Sequence, residues 1–94
     1  MVAPAHAPTQ RIDKYLWYVR LAKSRSAARA MAERGIMRLN GRRIERAHNL
    51  VRVGDLITLA RADNICVVRV LALPDRRGPA NMVDSWYEEL QLGD

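Results

Sequence analysis

The spacing of apolar residues changes once along this chain of 94 residues, and that change constrains its class. From Ile12 to Arg34 apolar side chains recur at helical spacing, whereas from Met37 they alternate with polar ones as on a pleated strand. Between the two stretches stands Gly35, suited to the left-handed position that ends a helix. Helices come first and strands afterwards, so the expected class is α+β with segregated elements.

In the first helical stretch Ile12, Tyr15, Leu16 and Val19 share one side, while Trp17, Tyr18 and Leu21 fill much of the other. A helix apolar nearly all round is expected between two partners. Lys23-Ser24-Arg25-Ser26 supplies N-cap candidates, Ala27 to Ala32 favours helix, and Arg34 with Gly35 makes a stop, which predicts a second helix over about 24–34. Asn40-Gly41 is the preferred dipeptide of a two-residue hairpin turn, and the alternation around it predicts two antiparallel strands.

Val51 to Asp55 reads as a turn before a strand over Leu56–Leu59. Asp63-Asn64 reads as a second turn, before a strand over Cys66–Leu73 whose apolar run only Arg69 interrupts; that strand is expected to be central. Pro74 to Pro79 breaks the chain, and a C-terminal helix is expected from Ala80 or Asn81. Its stripe of Met82/Val83, Trp86/Tyr87 and Leu90 would cover the Trp17 side of the first helix. The length leaves room for one core. Residues 1–10, with no charged side chain, read as a flexible leader, 11–73 as the domain, and 74–94 as linker and C-terminal helix.

Charge narrows the function. Residues 11–46 hold eleven basic and three acidic side chains, a net +8, against −2 for residues 47–94. Fourteen of the sixteen basic residues are Arg, whose planar fork suits phosphate, so the expected partner is a polyanion. No run approaches the roughly 20 apolar residues that span a bilayer, which excludes membrane insertion. Cys66 has no second cysteine to pair with, and residues 1–10 lack the apolar core of a signal peptide, so a reducing, cytoplasmic setting is expected. His6, His48 and Cys66 have no short ligand spacing, no Ser or Cys is placed to be activated by a histidine, and no glycine-rich phosphate loop occurs; no metal, no cofactor and no catalysis are expected.

The constellation with a mechanism is the basic segment. Arg25 and Arg29 lie four apart on one helical face, and the start at Ser24/Ser26 offers free amides at the positive end of the helix dipole, so a phosphate could be held there. Lys14, Arg20 and Lys23 could extend that site, and Arg38, Asn40, Arg42 and Arg43 cluster at the hairpin. If the hairpin packs beside the second helix, these groups form one positive groove. Trp17 and Tyr18 could stack on bases, but their helical position favours burial.

Four runs now show a resemblance: Arg11-Ile12-Asp13-Lys14-Tyr15-Leu16-Trp17, Lys23-Ser24-Arg25-Ser26-Ala27-Ala28-Arg29, Gly35 to Gly41 ending in Leu39-Asn40-Gly41, and Val53-Gly54-Asp55. In order and spacing they resemble the RNA-binding domain named after small-subunit ribosomal protein S-four, over roughly residues 11–60. Trp17 after Asp13-Lys14, with Arg76-Arg77-Gly78-Pro79-Ala80 and Tyr87-Glu88-Glu89 downstream, is similar to the fifteen-kilodalton heat-shock proteins of bacteria.

The resemblance implies the alpha-L motif, two helices and a hairpin that contact RNA, packed on a small, mostly antiparallel sheet of three to five strands. It implies structured ribosomal RNA as partner and, for the heat-shock relatives, rescue of large ribosomal subunits that carry a stalled nascent chain. Carried onto matching positions, it makes Arg11, Lys14, Lys23, Ser24, Arg25, Ser26, Arg29, Arg38, Asn40 and Arg42 the expected contacts, with Asp13 orienting a neighbouring Arg. Ala28 departs from the pattern, where an acidic or larger residue is common. Those relatives also typically continue into a long basic tail, whereas here the acidic segment Asp84 to Asp94 follows, so the tail's contacts are expected to be missing or replaced. A monomer is expected. The alternatives are a detached guide domain of an RNA-modifying enzyme of the pseudouridine synthase type, and a protein-interaction module with Met82, Trp86 and Leu90 exposed; burial of Trp86 would exclude the last.

Overall fold

A computed structural model describes residues 7–90. The chain opens with β1 (Gln10–Arg11), which pairs antiparallel with β4 (Leu50–Val51), so most of the leader expected over 1–10 lies outside the described residues or runs into a strand. α1 (Ile12–Tyr18) follows at once, without a side-chain cap. Its first amides are taken instead by the loop before β4: Ile12 N–H donates to Asn49 O at 2.7 Å and Asp13 N–H to Ala47 O at 3.2 Å.

At the other end of α1, Arg20 takes a left-handed conformation (φ 67°), with its N–H on Trp17 O and the Leu21 N–H on Leu16 O. This is the Schellman ending, with Arg where Gly is usual. α2 (Arg25–Glu33) is the helix expected over 24–34: Ser24 caps it by accepting from Ala27 N–H at 3.0 Å, and Gly35 leaves it at φ 76°. Ile12, Tyr15, Leu16 and Val19 of α1 and its end are buried, and α2 presents Ala28 and Ala32 to the core. Their small size lets the two helices approach closely.

The strands β2 (Arg38–Leu39), β3 (Arg42–Arg43), β5 (Leu56–Arg61), β6 (Asn64–Val70) and β7 (Tyr87–Leu90) form one antiparallel sheet in the order β3-β2-β5-β6-β7. Asn40 and Gly41 both have positive φ (53° and 83°), as the two-residue turn joining β2 to β3 requires. β5 and β6 are held by six registered pairs, and Ile57, Leu59, Cys66, Val68 and Val70 point into the core with Met37 and the helices. β6 lies between β5 and β7, the inner place expected of it, but it ends at Val70 rather than Leu73. The β5–β6 turn is Ala62-Asp63, one residue earlier than expected, and Ala62 is left-handed at φ 54°.

The C-terminal helix is a correction. Residues 80–85 form a 3-10 turn, and Tyr87–Leu90 is a strand registered on Val67–Val70 of β6. A strand there satisfies the backbone groups that β6 would leave open on that edge, and this nonlocal pairing outweighs the helical spacing of the apolar residues. Trp86 is buried at 9% exposure, which removes the reading that exposes it for a partner, although Met82 stays exposed. The Trp17 ring is covered by Arg77, 6.0 Å from its centroid, and not by a last helix. Residues 74–90 thus belong to the same fold as the rest.

Candidate nucleic-acid interface

The site is organised by a carboxylate that is almost out of reach of solvent. Asp13, in the first turn of α1, is 2% exposed. It accepts both Nε–H and Nη2–H of Arg11, at 3.1 and 3.0 Å, together with the Lys14 backbone N–H at 2.8 Å. Nε of Arg25, the first residue of α2, lies 3.6 Å from the same carboxylate. One buried anion therefore aims two guanidinium forks, one from the end of β1 and one from the start of α2, and it orients two arginines rather than the one expected. A carboxylate at this depth is tolerable because charged donors surround it.

Arg11 and Arg25 keep 44% and 43% of their side chains exposed, so their outer N–H groups remain available. With Asp13, Ser26 and Arg29 they line an open depression of about 370 Å³. Three guanidinium groups against one carboxylate leave it positive. Arg29 reaches Glu33 at 3.3 Å, but both are exposed, and such a pair is weak enough for a phosphate to displace. Ser24 spends its acceptor on Ala27 N–H, while Ala28 N–H bonds the Ser24 carbonyl. Lys23, exposed in the elbow between the helices, immediately precedes this cap, and half-buried Lys14 follows Asp13.

The hairpin is divided. Cross-strand partners share a face, and the pairs are Leu39 with Arg42 and Arg38 with Arg43. Leu39 is also registered with core-facing Ile57, so Arg42 lies on the helix side of the sheet and Arg38 and Arg43 on the opposite side. The single groove expected from Arg38, Asn40, Arg42 and Arg43 is therefore not formed. Arg38 folds onto Gly41 O at 3.2 Å, and Arg43 pairs with Glu45 at 2.7 Å. Asn40 uses both ends of its amide internally, donating to Asp55 at 3.0 Å and accepting from Leu56 N–H at 2.9 Å. Arg20, expected to extend the site, instead donates to Gly78 O at 2.7 Å.

Two groups are tuned by burial. The Tyr15 phenol is held well above its ordinary pKa, first by desolvation and then by Tyr87, and remains a neutral donor to Trp86 O at 2.9 Å. Burial and neighbouring Glu89 also raise the Cys66 thiol. Among the described residues no group of three or more His, Cys, Asp or Glu could hold a metal, and no helix is long and apolar enough to cross a membrane.

Comparison with known proteins identifies the family of the chain. The S4 domain family model matches residues 10–57. The heat shock protein 15 homolog of Aeromonas salmonicida is 37% identical over 92 residues, covering 97% of this chain and 69% of its own length. That of Haemophilus influenzae is 33% identical over 81 residues, 86% of this chain and 61% of its own. Heat shock protein 15 of Escherichia coli K12 is 35% identical over 79 residues, 84% of this chain and 59% of its own. This chain thus spans about three fifths to two thirds of these curated relatives. A trimeric structure of Vibrio cholerae heat shock protein 15 superposes with a TM-score of 0.81 at 32% identity, over 88% of this chain and 83% of that one. The S4 match over residues 10–57, the identity to these relatives and the shared fold place the chain in the S4 domain family of RNA-binding proteins and, within it, among the heat shock protein 15 group.

Proposed function

We propose that the chain binds structured RNA without catalysis, through the depression at the start of α2, and that its target is ribosomal RNA of the large subunit in the cytoplasm. The observation that carries the RNA reading is the sharing of Asp13 by Arg11 and Arg25. Forks held in place before binding lose little freedom when a phosphate arrives, and their outward N–H groups match its oxygens. Ser26 and Arg29 line the same depression, Lys14, Lys23 and Ser24 neighbour its residues in the chain and are read as further contacts, and the helix start has a dipole that favours an anion. Arg42 adds charge on the helix side of the hairpin, while Arg38 and Asn40 contribute by holding the turn in shape.

The finer role, engaging large subunits blocked by a stalled nascent chain, is supported by the motifs shared with the heat-shock relatives. Its test is crosslinking in cells followed by sequencing of the attached RNA: large-subunit RNA is expected, and enrichment of transfer RNA or messenger RNA with a modifying enzyme would replace this reading. In vitro, roughly 4–7 phosphate contacts give a log–log salt slope of about −3 to −6, and a flat response would sink the phosphate site. Sedimentation at binding concentrations decides between the monomer expected from the sequence and self-association like that of the Vibrio cholerae relative.

A further inference from the structure

Residues 74–79 line neither the depression nor the hairpin, yet they are tied to the elbow between α1 and α2 from both sides. Nη1 of half-buried Arg77 donates to the carbonyl oxygen of Trp17 and, at 3.2 Å, to that of Ala22, with the guanidinium over the Trp17 ring. In return Arg20 donates to Gly78 O. Arg20 occupies the left-handed end of α1, which a glycine would adopt at lower cost, and this reach across the elbow gives the arginine a reason to be there. The segment is pinned from behind as well. A Cβ on Gly78 would collide with the Trp86 ring, the Trp86 carbonyl accepts the Tyr15 hydroxyl, and Gln10 donates to Pro74 O at 2.7 Å.

We infer that Arg77 is a positioning residue for the RNA site, an inference that rests on the RNA-binding reading above. Its guanidinium joins the last turn of α1 to Ala22, and Ala22 runs directly into Lys23, the Ser24 cap and Arg25. Arg25 must then meet the carboxylate that α1 presents from its other end. Arg77 thereby fixes the angle at which α2 leaves the elbow, and with it the spacing of the Arg11 and Arg25 forks. Arg76, 88% exposed and one residue away, carries the same charge without the bridge.

The test is titration of the full chain with a labelled ribosomal RNA stem-loop over a range of salt, for wild type, Arg77→Ala, Arg77→Lys and Arg76→Ala, with hydrogen exchange read in parallel. Arg77→Ala is expected to weaken binding about three- to twenty-fold with the salt slope unchanged, because no phosphate contact is removed. Arg77→Lys, which keeps a cationic donor, recovers part of that loss, and Arg76→Ala stays within about twofold. Amide exchange rises at residues 23–28 in Arg77→Ala and not along β5 and β6. The inference is overturned if Arg77→Ala binds like wild type, if Arg76→Ala loses as much, or if the slope falls by about one, the mark of a direct phosphate contact. Exchange rising equally in β5 and β6 also overturns it, since the loss is then one of global stability. A wild type that binds no RNA overturns the underlying reading instead.

Discussion

The hairpins β2–β3 and β5–β6 close through two-residue turns whose first residue is left-handed, but they are held in place by different forces. β5–β6 has six registered pairs and buries Ile57, Leu59, Cys66, Val68 and Val70. β2–β3 has two pairs, and four of its six residues are Arg or Asn. It is located by the Asn40 bonds to Asp55 and Leu56 and by the pairing of β2 with β5. Polar ties to the rest of the sheet place the short hairpin, as the Asp13 carboxylate places Arg11 and Arg25. The molecule thus divides into a half stabilised by burial and a half whose exposed cations are positioned by hydrogen bonds, and substitutions should act on one or the other.

The largest expected effect lies in the buried half. Ile57→Ala should lower stability by about 2–5 kcal/mol in denaturant unfolding, through lost burial and a cavity, while the fraction still folded keeps its RNA salt slope. A changed slope would mean that the two halves are not separable. Next come Arg25→Ala and Arg29→Ala, each expected to weaken RNA binding by about 1–2 kcal/mol with a melting temperature nearly unchanged. Equal losses of fold and binding would erase the distinction.

Asp13→Asn sharpens it by sign. The substitution makes the chain more positive, so if bulk charge governed binding, affinity would rise. If positioned forks govern it, affinity falls by about 1 kcal/mol, as titration at fixed salt would show. The smallest effect expected is a gain: Ala62→Gly relieves a left-handed alanine and should raise stability by up to about 1 kcal/mol, with RNA binding untouched.

What the sequence shows of this fold is what is locally encoded. α2 was legible because Ser24, the alanines and Gly35 are its own cap, body and stop, and the Asn40-Gly41 turn because both residues tolerate positive φ. The Ala62 turn carries no such mark. β7 is hidden in the sequence because Trp86, Tyr87 and Leu90 fit a helical stripe as well as a strand, and only the open edge of β6 decides between them. The site was legible as a list of cations but not as an arrangement: strand register sends Arg38 and Arg42 to opposite faces, and the Arg77 bridge spans 60 residues to Trp17.

The burial of Cys66 has a practical consequence. The chain contains one thiol, it faces the core from β6, and it is held in its less reactive protonated form by desolvation and by Glu89 of the neighbouring β7. Alkylation therefore waits for the core beneath β6 to open. Labelling of an unmodified sample under native conditions becomes a clock for how often the core opens, and any RNA that slows the clock can be ranked by how firmly it holds the fold closed.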